Sequence, residues 1–152
     1  MRKSLALAGA VVGFTIGLGA APALADGTYH SSHYALTPVG AAPLRSGFVE
    51  NIHPNGPNVF AHEQYVLNGA APGADYVVVL AIFPLDTTCS STPISIPTAT
   101  FLTNAAGDGV SEHVFTPADA AGLRGLTLGA IWTVSTGGTP AYQTGCETVV
   151  LD

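Results

Sequence analysis

Tyr76-Val77-Val78-Val79-Leu80-Ala81-Ile82-Phe83 is apolar at every position. A strand with one wet face alternates polar and apolar residues, so this run reads as a central strand covered on both sides, or one whose outer face meets a partner. Immediately before it, Ala71-Pro72-Gly73-Ala74 and Asp75 form a turn between sheet strands, and Val59 to Leu67 is a second strand candidate. The same pattern of apolar, β-branched and aromatic runs punctuated by glycine and proline continues in both directions. It predicts further strands at Tyr29 to Leu36, Gly47 to His53, Thr98 to Thr103, Val110 to Phe115, Leu128 to Ser135 and Glu147 to Leu151. Pro54-Asn55-Gly56-Pro57 and Asn104 through Gly109 place Asn and Gly where positive φ is needed, and each is expected to close a hairpin. Thr116-Pro117-Ala118-Asp119-Ala120-Ala121-Gly122 has a threonine N-cap, a proline at the first helical position and a glycine stop, which predicts one short helical turn crossing between sheets. The fold class is therefore all-β, an antiparallel β-sandwich of about 7–8 strands. Trp132, with Ile131 and Val134, is expected to be a second core element beside the Tyr76 to Phe83 strand.

The N-terminus sets the expected compartment. Met1, Arg2 and Lys3 precede an uncharged apolar run from Leu5 to Ala21, and Pro22 precedes the small-x-small site Ala23-Leu24-Ala25. This is the pattern of a secretory signal peptide over residues 1–25, leaving residues 26–152 as a single domain. With no cysteine at the cleavage site and no apolar tail or basic cluster at Asp152, no stable membrane anchor is expected. Loss of Arg2 and Lys3 leaves Arg45 and Arg124 as two positive charges against ten negative ones, a net charge of −8 with no lysine at all. Nucleic-acid binding and attachment to anionic lipid both need a basic surface and are disfavoured. Schiff-base chemistry has no lysine to use. Two cysteines in an exported domain are expected to pair, joining Cys89 to Cys146 as a structural staple, and the absence of Cys-x-x-Cys spacing argues against a redox pair.

A cysteine on either side of Trp132 in an all-β chain resembles the immunoglobulin architecture, although Trp132 stands before the second cysteine rather than after the first, and Cys89 lies in the polar loop Thr87-Thr88-Cys89-Ser90-Ser91. The phrase Leu67-Asn68-Gly69-Ala70-Ala71-Pro72-Gly73-Ala74-Asp75-Tyr76 entering an apolar strand, and the turn Thr103-Asn104-Ala105-Ala106-Gly107-Asp108-Gly109, are similar to small exported actinobacterial immunoglobulin-like sandwich proteins, including the apoproteins that carry enediyne chromophores. What the resemblance implies is an immunoglobulin-like sandwich and, in the carriers, a bound ligand. The carriers have two disulfides where this chain can form one.

Motifs for catalysis are few. His62-Glu63 opens the zinc-protease pattern, but Val66 stands where its second histidine belongs. No Gly-x-Ser-x-Gly elbow occurs, and Phe115 stands where a calcium loop starting at Asn104 would need its glutamate. The repeated arrangement that remains is His62-Glu63 and Glu112-His113, each in the middle of a candidate strand. If those strands are neighbours, His62, Glu63, Glu112 and His113 form a candidate metal set for copper or zinc, with His30, His33 and His53 as further imidazoles expected to be scattered. Along Val59, Ala61, Glu63, Tyr65 and Leu67, the glutamate interrupts an apolar face. The preferred reading is a bulge that turns Glu63 outward or a place at the sandwich edge. An inward Glu63 would need partners or a raised pKa.

The expected function is a secreted, non-enzymatic binding or surface-interaction module with a protein, glycan or small-molecule partner, no cofactor and no catalytic residue. Tyr29, Tyr34, Tyr65, Tyr76 and Tyr142 are available as contact residues. The alternatives are a small-ligand carrier with an inter-sheet cleft, and a histidine-based metal-dependent extracellular enzyme.

Overall fold

A computed structural model describes residues 30–53, 59–119 and 121–151; the expected signal peptide and the turn at 54–57 lie outside the described residues. The described chain is all-β. Its strands are β1 (His30–Ala35), β2 (Thr37–Pro38), β3 (Ser46–His53), β4 (Ala61–Asn68), β5 (Asp75–Phe83), β6 (Ile94–Leu102), β7 (Gly109–Phe115), β8 (Thr127–Thr136), β9 (Thr139–Gln143) and β10 (Glu147–Val150). They form two antiparallel sheets, one ordered β1-β3-β4-β7 and the other β2-β9-β8-β5-β6, with β10 pairing β8 alongside β9. The sheets pack as two layers around one core.

Period-two alternation builds the first sheet. In β3 the buried side is Gly47, Val49, Asn51 and His53, and in β4 it is Ala61, Glu63, Tyr65 and Leu67. Against these lie Tyr76, Val78, Leu80 and Ile82 of β5 and Leu128, Ala130, Trp132 and Val134 of β8. Trp132, Val134, Val49, Tyr65 and Leu67 have no exposed surface, so the aromatic and branched side chains of both layers interdigitate. At one end of the core, Tyr142 Oη donates to the Pro43 carbonyl at 2.7 Å and lies 3.0 Å from Tyr76 Oη, which satisfies two buried phenols together.

Several sequence expectations change on contact with the structure. β5 is central, between β6 and β8, but its burial alternates: Val77 remains 40% exposed, so the outer face of the strand is not covered by the described chain. β6 starts at Ile94, ahead of the expected Thr98, and carries Pro97 because it is an edge strand with a bulge opposite Val78 and Val79. β9 was not expected as a strand; Gly137 and Gly138, both at positive φ, make the tight two-residue hairpin that pairs it with β8. Asn104 through Gly109 is not a hairpin within one sheet, since it carries the chain from β6 in the second sheet to β7 in the first. The expected helical turn is replaced by successive turns, and no helix occurs among the described residues. The Asp119 carboxylate accepts from Thr116 N and Oγ1 at 2.7 and 2.8 Å, as at a helix start, but Asp119 N and Ala121 N donate only three residues back, so no i to i−4 ladder follows among the described residues.

The segments Leu67–Tyr76 and Thr103–Gly109 meet in space. Thr103 Oγ1 donates to the Ala71 carbonyl at 2.7 Å and accepts from Ala74 N at 3.0 Å, Ala70 N donates to Gly107 O at 2.9 Å, and Gly69 N donates to Asp108 Oδ1 at 3.0 Å. Gly107 is required there. Its φ is +78°, and a Cβ would stand 2.0 Å from the Ala70 carbonyl oxygen. Gly107→Ala is expected to lower stability by about 2 kcal/mol through left-handed strain and that clash, read as a shifted denaturation midpoint with unchanged m-value.

Cys89 and Cys146 are bonded, with Cα atoms 5.9 Å apart. The bond ties the β5–β6 loop to the kink between β9 and β10, across Gly129 of β8, where a Cβ would come within 2.8 Å of Cys89 Sγ. Asp86 shapes that loop by accepting from the Thr88, Ser90 and Ser91 backbone N–H groups, and these bonds, with that from the Thr88 hydroxyl foremost, hold its carboxyl well below the usual range. Among the described residues, no helix is long and apolar enough to cross a membrane.

Candidate functional site

Sheet register brings a row of polar side chains across the inner face of the first sheet. Ser32 of β1 pairs with Asn51 of β3, Asn51 with Glu63 of β4, and Glu63 with His113 of β7. Directly paired residues of an antiparallel sheet share a face, so the row points toward the second sheet. Glu63 lies at its centre and is 1% exposed. The register through β4 runs without a shift on either side, so no bulge turns Glu63 out, and the expectation of an outward or edge position is corrected.

The carboxylate is held by two donors from different layers. Trp132 Nε1 donates to Glu63 Oε2 at 2.9 Å across the sandwich, and Tyr65 Oη donates to the same oxygen from two residues along β4. Trp132 is itself fixed, with its backbone N–H bonded to Thr144 Oγ1 at 3.1 Å and its ring stacked on Tyr34 at 5.1 Å. Burial pushes the Glu63 carboxyl up to about 7, and the Tyr65 and Trp132 hydrogen bonds work against that rise. Burial, with the Glu63 charge beside it, raises the Tyr65 phenol far above its ordinary value, so Tyr65 remains a donor at physiological pH.

Beside Glu63 the two sheets leave a cavity of about 50 Å³. That is room for roughly one or two waters, or for the end of a ligand that extends outward. Its walls are mostly apolar: Phe60, Leu80, Ile82, Leu128 and Trp132 are among them, with Ile96, Leu123 and the exposed Asp119 toward the surface. Its polar lining comes from Asn51, His53, Glu63 and Asp119. Asn51 is 4% exposed, and its Oδ1 is buried without a hydrogen-bond partner among the described residues. The ring of His53 lies edge-on to Phe60 at 5.6 Å, and the Arg124 guanidinium covers the Phe60 ring at 5.3 Å.

The candidate metal set is divided. β4 and β7 are antiparallel neighbours, as the metal reading required, but His62 is opposite Val114 and Gln64 is opposite Glu112, so the two dipeptides are offset. Strand alternation then sends His62 and Glu112 to the outer face, where Nε2 and Oε2 are 3.0 Å apart, and Glu63 and His113 to the inner face. His33 pairs outward with Glu50 at 3.0 Å, and His30 is the strand partner of His53. No group of three or more His, Cys, Asp or Glu that could hold a metal ion is gathered among the described residues. Asn51 and Trp132 are the members of the site that sequence reasoning missed. Asn51 carried a readable signal, since it interrupts the Gly47, Val49, His53 face of β3 as Glu63 interrupts that of β4.

Chemically, the arrangement offers an apolar recess with a carboxyl group poised near neutrality and a bare amide oxygen. It can accept hydrogen bonds and hold or give up a proton. Fold and site together define a two-sheet β-sandwich protein with a small inter-sheet cavity of mixed lining. No protein-family model, curated protein or solved structure matches the chain.

Proposed function

We propose that this is a secreted, non-enzymatic carrier of a small, mainly apolar molecule, built on an immunoglobulin-like sandwich, with the ligand's end seated in the cavity beside Glu63. The observation that carries the reading is the cavity itself, in which apolar walls surround a few convergent polar atoms, the usual composition of a small-molecule site. The buried Asn51 Oδ1 without a partner supports it, because native interiors seldom leave such an atom unmatched unless something else completes it. The immunoglobulin-like assignment is supported by the order β3-β4-β7 facing β9-β8-β5-β6, with the chain crossing layers after β4, β6 and β7. Export is supported by the leader-like N-terminus and by a disulfide, which persists in oxidising compartments.

Trp132 is the single tryptophan and lines the cavity, so its indole N–H resonance reports occupancy directly. Titration with isobutanol is expected to shift that resonance saturably. Ile96→Phe, which adds volume at the half-buried mouth, is expected to abolish the shift. An indole resonance unmoved by isobutanol in the wild-type protein would overturn the carrier reading. Native mass spectrometry of protein taken from its own secretion medium would then show the natural occupant as added mass.

A further inference from the structure

We propose that the cavity selects ligands bearing an ammonium group, which docks between Glu63 Oε1 and Asn51 Oδ1 while the apolar remainder lies against Leu80, Ile82 and Leu128. This rests on the carrier reading above and names the chemistry of what is carried. Tyr65 and Trp132 both donate to Oε2 of Glu63, which leaves Oε1 outside both bonds. Asn51 is the direct cross-strand partner of Glu63, both residues line the cavity, and Asn51 Oδ1 is buried with no donor among the described residues. Two residues that carry acceptor oxygens, on adjacent strands, thus line one recess. A ligand that completes them must bring hydrogen-bond donors, and an ammonium group brings three with no acceptor to waste.

Charge decides between an ammonium and a neutral donor. An ionised carboxylate in an apolar recess is costly alone and much less so beside a cation with good geometry. Ionisable groups around Glu63 include the Tyr65 phenol on its own strand, His113 opposite it on β7, the Tyr34 phenol stacked on Trp132, and His53 and Asp119 around the cavity. Asp119 stands toward the exposed mouth, and its carboxyl is held low, first by the Thr116 backbone N–H, so it remains negative and favours entry of a cation. An anionic ligand head meets two acceptors and a net charge of −8 on residues 26–152.

The test compares three probes with one carbon skeleton, isobutylamine, isobutanol and isobutyrate, at pH 7.5 and 150 mM salt, read by the Trp132 indole N–H resonance. Isobutylamine is expected to bind at least about tenfold more tightly than isobutanol, corresponding to a charge-assisted hydrogen bond in place of a neutral one, and isobutyrate to bind weakest. Glu63→Gln keeps an acceptor for Tyr65 and Trp132 and is expected to erase the amine's advantage over isobutanol. Asn51→Leu is expected to reduce the advantage in part and serves as an independent check should the first variant fold poorly. If isobutanol binds and isobutylamine binds no better, or keeps its advantage in Glu63→Gln, ammonium selection is wrong and the carrier reading stands. If isobutanol leaves the resonance unmoved, the carrier reading falls and ammonium selection with it.

Discussion

Reduction of the Cys89–Cys146 bond is expected to lower the stability of this domain by about 4 kcal/mol, the entropy of closing so long a loop in the unfolded chain. The bonded residues are 57 apart in sequence, and the bridge fastens the β5–β6 loop to the β9–β10 kink on opposite sides of β8. For a domain of this length the midpoint should fall by roughly 10–15 °C. Cys146 is exposed, so a mild reductant can reach the bond without prior unfolding. Thermal melts of the oxidised and reduced protein, and of the Cys89→Ser/Cys146→Ser variant, measure the effect. Superimposable melts of oxidised and reduced protein would show that the bridge does not constrain the unfolded chain.

Glu63 should make stability fall as pH rises from about 4.5 to 8. Its carboxyl has an ordinary value of 4.5 in the unfolded chain and about 7 in the folded protein. Between those values the folded state holds a proton that the unfolded state has released, so raising the pH favours unfolding. The favourable contribution is complete below pH 4.5 and is lost as pH passes through 7. A shift of that size corresponds to about 3 kcal/mol. Glu50, Asp86 and Asp119 have lowered values, from the Ser31, Thr88 and Thr116 hydrogen bonds respectively, so their stabilisation is lost only at lower pH and leaves this window clear. Glu63→Gln removes the ionisation and retains an acceptor for Trp132 and Tyr65. Its melting temperature is expected to match the wild type at pH 5 and to exceed it by roughly 10 °C at pH 8. Parallel pH profiles for the two proteins would mean that Glu63 keeps its ordinary value and is not held as the structure places it.

These two results bear on different parts of the chain. The disulfide concerns the end of the sandwich at Gly129, where side-chain volume is excluded, and Glu63 concerns the centre of the inner face. The proposed ammonium site adds a third link, since a cation bound to Glu63 would offset the cost of its ionisation and stabilise the folded state in proportion to occupancy.

The sequence by itself determined most of the strands and the staple. Alternation along Ser46–His53 and Ala61–Asn68, the apolar run from Tyr76 to Phe83 and the turn residues between them are local signals, set by the two-residue period of a strand and by the φ requirements of Gly and Asn. It also marked Glu63 as a polar interruption of an apolar face. Which way that face turned was decided only by the tertiary structure, because the donor that makes an inward carboxylate tolerable, Trp132 Nε1, comes from a strand 69 residues away in the opposite sheet. Likewise, His62-Glu63 and Glu112-His113 were legible as dipeptides, but their offset across β4 and β7 depends on register, which no local pattern encodes. The Pro140 strand stayed hidden because proline weakens the strand signal, and Gly137-Gly138 closed the hairpin regardless. The cavity belongs wholly to the tertiary level: it is the space left where Glu63 and Asn51 of one layer meet Leu80, Ile82 and Trp132 of the other, and such a gap exists only once two separately patterned sheets are packed together.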